Sequence, residues 1–127
     1  MDGKYATEGI INPEEILTRF FGDCEGARQV MRVFLEESPN AMAHLREAIR
    51  DKDAEKICMS AHSFKGAAST FSARVAGCAS TLEQMGSSGS LQGVEEVMER
   101  LEQEVRKLES ALIDFMAEDA VVEKTGV

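Results

Sequence analysis

The sequence predicts an all-α protein: an antiparallel up-down four-helix bundle with a short N-terminal capping helix. Three observations predict it. Apolar residues recur at three- and four-residue steps in successive segments, and no segment alternates with a period of two. Only two prolines and no tryptophan occur, while Ala, Leu, Glu, Met and Arg are abundant, a composition that favours helix. The connections between segments are short, which makes sequential helices antiparallel neighbours.

The elements follow in order. Residues 1–11 carry no clear period and read as a loose lead-in. Asn12-Pro13-Glu14-Glu15 starts the capping helix, with Asn as N-cap, Pro at the first helical position and carboxylates at the positive end of the dipole. Ile16, Leu17, Phe20 and Phe21 form its apolar face, and Gly22 is expected to end it. Asp23 caps the next helix, whose stripe is Ala27, Val30, Met31, Phe34, Met42, Leu45 and Ile49. Pro39 interrupts that stripe, but the apolar phase resumes beyond it, so the expectation is one kinked helix to about Arg50 rather than two.

Asp53 is the N-cap of a third helix, expected to run to about Phe71. Ser72 marks a break before a fourth, in which Val75, Cys78, Ala79, Leu82 and Met85 share a face. The run Gly86-Ser87-Ser88-Gly89-Ser90 reads as a loop. The last helix has the strongest pattern: Val94, Met98, Leu101, Val105, Leu108, Leu112 and Phe115 form a heptad seam. The bundle is therefore expected over residues 12–117, with a flexible tail over 118–127 and no second domain.

Bulk properties exclude several functions. The net charge of -9 argues against nucleic acid as a partner and favours a locally positive one. Cys24, Cys58 and Cys78 are odd in number and widely spaced, with no CxxC pair, which fits reduced thiols rather than a disulfide framework or zinc knuckle. Residues 1–5 lack the apolar run of a signal peptide, and no stretch reaches the ~20 apolar residues that span a bilayer. The expectation is a cytoplasmic protein away from membranes.

The chemistry concentrates in Ala61-His62-Ser63-Phe64-Lys65-Gly66. Ala54, Ile57, Ala61, Phe64, Ala68 and Phe71 share the apolar face of the third helix. His62 falls roughly 130° from the centre of that face, so it points to solvent. Lys65 and Gly66 flank it one turn on. An ordinary imidazole titrates at about pH 6.5, so a neutral, nucleophilic nitrogen is available at neutral pH. Acyl transfer would need a pocket, an oxyanion hole and a serine or cysteine nucleophile aimed at the ring, and Ser63 points about 100° away. Phosphoryl transfer needs less: an accessible nucleophile, in-line approach and positive charge near the phosphate oxygens. His62 supplies the first and Lys65 the last. Gly66 costs about 1 kcal/mol of helix propensity relative to Ala and leaves room for a partner's backbone.

Two other readings remain open at this stage. A non-catalytic helical adaptor or coiled-coil dimer would use the acidic surface or the heptad seam. Cys58 and His62, four apart with Glu55 one turn earlier, are weak candidates for a metal site, since no fourth ligand is in view; the expectation is that no metal binds. His44 reads as an ordinary surface residue.

The segment Ala61 to Gly66 resembles the A-H-x-L-K-G motif of histidine-containing phosphotransfer (HPt) domains, with Phe64 in the leucine place. The resemblance extends from about Asn12 to Leu112, through Phe34-Leu35, Ser38-Pro39 and Leu82-Glu83. Departures are Ala67 and Ala68 where small hydroxyl residues are usual, and Ser72 where glycine is usual. The resemblance implies a bundle whose exposed histidine takes phosphate from a receiver-domain aspartyl phosphate and passes it to another receiver. It implies His62 as the phosphorylated nucleophile, Lys65 as the charge stabiliser, Gly66 as the point of partner access and Gln84 as a polar contact beside the histidine. Cys58 and Ser69 are candidates for the docking face. It further implies receiver domains of response regulators and hybrid sensor kinases as partners, no cofactor of its own, Mg on the receiver, no independent kinase activity, and a monomer.

Overall fold

The computed structural model describes residues 9–125, with side chains through residue 117. Five helices and no strands occur among the described residues: α1 (Pro13–Arg19), α2 (Cys24–Arg50), α3 (Ala54–Ser69), α4 (Ala73–Ser88) and α5 (Val94–Thr125). Helices α2 to α5 make the bundle. Their direction is fixed by pairs that cross it: Ser38 with Glu109 and Arg46 with Glu102 between α2 and α5, His62 with Glu83 between α3 and α4, Arg74 with Glu104 between α4 and α5. Between α2 and α5 the pairs run in opposite order, 38 with 109 and 46 with 102, and between α3 and α4 His62 meets Glu83 while Cys58 meets Gly86, the mark of antiparallel packing.

Side-chain oxygens start four of the helices. Asn12, Asp23, Asp53 and Ser72 each accept a hydrogen bond from a backbone N–H three residues on, satisfying one of the donors that every helix start leaves unpaired. Ser72 is itself buried, with its Oγ 3.2 Å from the amide of Val75. A glycine there would leave that donor without a partner, which gives serine a physical reason at a position where glycine is usual in the resembling proteins. Helix α2 runs unbroken through Pro39, which is exposed, so water can serve the carbonyl that proline leaves without a donor.

The core is continuous through the bundle. It includes Met31 and Leu45 on α2, Ile57 and Phe64 on α3, Val75 and Leu82 on α4, and Leu101 and Leu108 on α5. The heptad residues Val94, Met98, Leu101, Val105, Leu108 and Leu112 are all buried, and Phe115 is half-buried. The seam is thus consumed within the chain. Helix α1 closes one end: Ile16 joins the core, and Phe20 stacks on Phe71 at the α3–α4 turn.

Four local expectations are corrected. Phe21 is 97% exposed rather than on a core face. Helix α1 stops at Arg19, before Gly22, and Phe21 takes a left-handed φ of 54° in the reversal, so helical periodicity no longer aims its ring. Val30 lies at the edge of the α2 stripe and is 40% exposed. Ile10, expected in a loose lead-in, is buried in the core beside a half-buried Ile11; residues 1–8 of that segment lie outside those described. Gly86, expected in a loop, is helical and buried in α4, which continues to Ser88. The backbone of α5 is helical past residue 117, whereas the side chains of the expected tail, 118–127, lie outside those described.

Candidate functional site

His62 sits on the face of α3 that borders α4, with 69% of its side chain exposed. The same helix buries Ile57, Ala61, Phe64 and Ala68 on its other side. The packed face therefore fixes the rotation of α3, and that rotation presents the imidazole to solvent.

Across the groove stands Glu83 of α4. One of its carboxylate oxygens lies 2.7 Å from His62 Nδ1 and the other 2.6 Å from Lys65 Nζ. Glu83 is only 21% exposed. The Lys65 ammonium, then the His62 ring, hold its carboxyl below the ordinary glutamate value of 4.5. Glu83 is therefore an anion at neutral pH and can only accept hydrogen bonds. It follows that Nδ1 of His62 carries the proton and donates it. In a neutral imidazole the lone pair then belongs to Nε2, on the outer edge of an exposed ring. The site thus presents one nucleophilic nitrogen of defined tautomer, backed by a carboxylate and flanked by a cation.

The other sequence candidates fall around this triad. Gly66 is exposed, and a Cβ placed there would meet nothing within 4 Å. Ser69 is also exposed, and its hydroxyl donates to the Gly66 carbonyl at 2.8 Å. Cys58 is half-buried one turn before His62. Gln84 is exposed and lines a shallow depression with Lys65, Ser80, Glu83 and Ser87. The side chain hydrogen-bonded to the ring belongs to the residue before it. Sequence reasoning assigned Glu83 no role. The signal was the Leu82-Glu83 pair, with Leu82 buried in the core and Glu83 next to it on the side facing α3.

No disulfide joins Cys24, Cys58 and Cys78. Burial pushes the Cys78 thiol up, which keeps it protonated and unreactive. No group of three or more His, Cys, Asp or Glu suited to a metal occurs among the described residues. Among the described residues, no helix is long and apolar enough to cross a membrane.

A family model described as Hpt domain matches residues 29–111, a span that takes in the entire His62–Lys65–Glu83 cluster. The chain belongs to the Hpt domain family. Among solved structures, this Hpt domain is similar to histidine-containing phosphotransfer protein B (HptB) from Pseudomonas aeruginosa PAO1, with a TM-score of 0.80 and 21% sequence identity, covering 87% of this chain and 97% of that one. At that identity the likeness speaks for the fold. No curated protein matches. Membership gives the Hpt domain a histidine phosphotransfer role in a phosphorelay, with receiver domains as the partners that the family implies.

Proposed function

We propose that His62 is the phosphoacceptor and that Nε2 is the atom that carries the phosphoryl group. The observation that carries this reading is the hydrogen bond from His62 Nδ1 to Glu83, on a ring otherwise open to solvent. The Nε2 lone pair attacks the phosphorus of a receiver's aspartyl phosphate. The N–P bond forms as the P–O bond breaks, and the aspartate carboxylate leaves with the bonding pair. The ring becomes a phosphoimidazolium that still holds its Nδ1 proton. Glu83 faces that proton and offsets the new positive charge. A second receiver's aspartate then attacks that phosphorus, forming a P–O bond as the N–P bond breaks and the bonding pair returns to Nε2.

Lys65 has two duties in this scheme. It holds Glu83 in place, and its two remaining ammonium donors are available to the equatorial phosphoryl oxygens. A Mg ion on the receiver supplies further positive charge. Gly66, with open space above it, lets the receiver's backbone approach. Met59, one turn before His62 and 66% exposed, offers an apolar contact beside it, while Cys58, Ser69 and Gln84 border the approach. The partners are receivers of response regulators and hybrid sensor kinases. The protein acts in the cytoplasm as a monomer, since the heptad seam that would have made a dimer is already buried, and it has no kinase activity of its own.

The test is incubation with a phosphorylated receiver. The protein takes up an acid-labile label, as a P–N bond requires, and His62→Gln takes up none. Equal labelling of His62→Gln would remove the assignment.

A further inference from the structure

Three glycines lie inside the two helices that build the site: Gly66 on α3, Gly77 and Gly86 on α4. Each gives up helix propensity relative to alanine. A Cβ on Gly66 or Gly77 would meet open space. On Gly86 it would fall 2.6 Å from the Ala54 carbonyl oxygen, 2.6 Å from the Cys58 nitrogen and 2.9 Å from the Cys58 Cα. All three are backbone atoms of α3, so no side-chain rotation can relieve the clash. Gly86 is where the backbone of α4 rests on that of α3.

This point of contact is next to the chemistry. Cys58 precedes His62 by one turn on α3, and Glu83 precedes Gly86 by about one turn on α4. Because the helices are antiparallel, the Gly86–Cys58 contact and the Glu83–His62 hydrogen bond occupy adjacent layers of one interface. We propose that Gly86 is a positioning residue for the phosphotransfer site: by letting α4 seat directly on α3, it sets the reach of the Glu83 carboxylate to His62 and Lys65. Glu83 engages both partners at once, at 2.7 and 2.6 Å. Relieving the clash to ordinary contact at 3.4 Å or more moves α4 outward by several tenths of an ångström. Rotation of the glutamate can follow that movement for one partner, but not for both. The ring then loses the acceptor that fixes its tautomer.

The role of Gly86 in transfer rests on His62 being the phosphoacceptor; its effect on the ring does not. The experiment separates the two by reading the unphosphorylated ring first. Nitrogen NMR of His62 reports whether Nδ1 carries a hydrogen-bonded proton. Phosphoryl uptake from a phosphorylated receiver is then timed, and circular dichroism checks the helices. In Gly86→Ala the His62 signature moves to that of Glu83→Ala, and uptake slows by about tenfold, as in Glu83→Ala. The double variant is no slower than Glu83→Ala alone. Gly77→Ala, on the same helix, matches the wild type in both readouts. A wild-type ring signature in a folded Gly86→Ala would overturn the proposal, as would further slowing in the double variant. If Gly86→Ala does not fold, the decision passes to Glu83→Asp, one methylene shorter and free of any clash. Loss of the hydrogen-bonded signature there supports a reach with no slack, and its retention overturns it. If the wild-type protein takes up no label at His62 while the ring responds as stated, the phosphoacceptor assignment fails and the positioning stands.

Discussion

Nδ1 of His62 lies 2.7 Å from a carboxylate oxygen of Glu83, contributed by the neighbouring antiparallel helix. A hydrogen bond to a charged group is stronger than one between neutral groups. Part of that strength is realised only as the ring turns cationic on phosphorylation, which is the kind of interaction that accelerates a reaction. Glu83→Ala is expected to slow phosphoryl uptake by about tenfold or more and leave helicity unchanged. Timed uptake from a phosphorylated receiver checks it.

Lys65 is the first cause of the lowered Glu83 carboxyl, ahead of His62. In Lys65→Met the Glu83 carboxyl is expected to titrate closer to 4.5, read by carboxyl-carbon NMR. The sign of the stability effect follows. A carboxyl whose folded value is depressed stabilises the fold above its unfolded value and loses that contribution as pH falls through the folded one. The Glu83 contribution is therefore constant at neutral pH and fades only below about pH 4.5, where Lys65→Met and wild type converge in melting temperature.

Gly66 has open space around it on a helix face. Gly66→Ala is expected to raise stability by about 0.5–1 kcal/mol through helix propensity, as measured by urea denaturation. Gly66→Trp is expected to keep the circular dichroism of the wild type and to abolish phosphoryl uptake, because the indole fills the approach to His62. Undiminished uptake in that variant would show that receivers do not come in over Gly66.

Leu101 is fully buried on α5, away from the site. Leu101→Ala is expected to cost about 2–5 kcal/mol in denaturant unfolding. Below its lowered melting point it should still take up phosphate at close to the wild-type rate, since α3 and α4 carry the site.

Much of this molecule was readable from residue order. The caps Asn12, Asp23, Asp53 and Ser72 act within three residues of themselves, so local chemistry suffices to find them. The outward aim of His62 followed from the apolar period of α3 alone. Glu83 was not readable in the same way. Its partners lie on another helix, and choosing between Glu83 and Gln84 requires the rotation and offset of α4 against α3. Gly86 was misread for a related reason. Gly-Ser-Ser-Gly-Ser has loop composition, but the missing side chain at Gly86 answers a backbone on the facing helix, not a turn of its own. Turn chemistry does appear three residues later, where Gly89 takes a φ of 77° and caps α4. Phe21 was misplaced because periodicity holds only while the helix lasts.

A single nitrogen, Nε2 of His62, receives the phosphoryl group because Glu83 occupies the other. The most direct measurement is phosphorus and nitrogen NMR of the protein after transfer from a phosphorylated receiver, which distinguishes the two isomers of phosphohistidine and any other phosphorylated residue. One species is expected, with the N–P bond at Nε2 of His62 and a protonated Nδ1. A phosphoryl group on Nδ1, or on a residue other than His62, would contradict it.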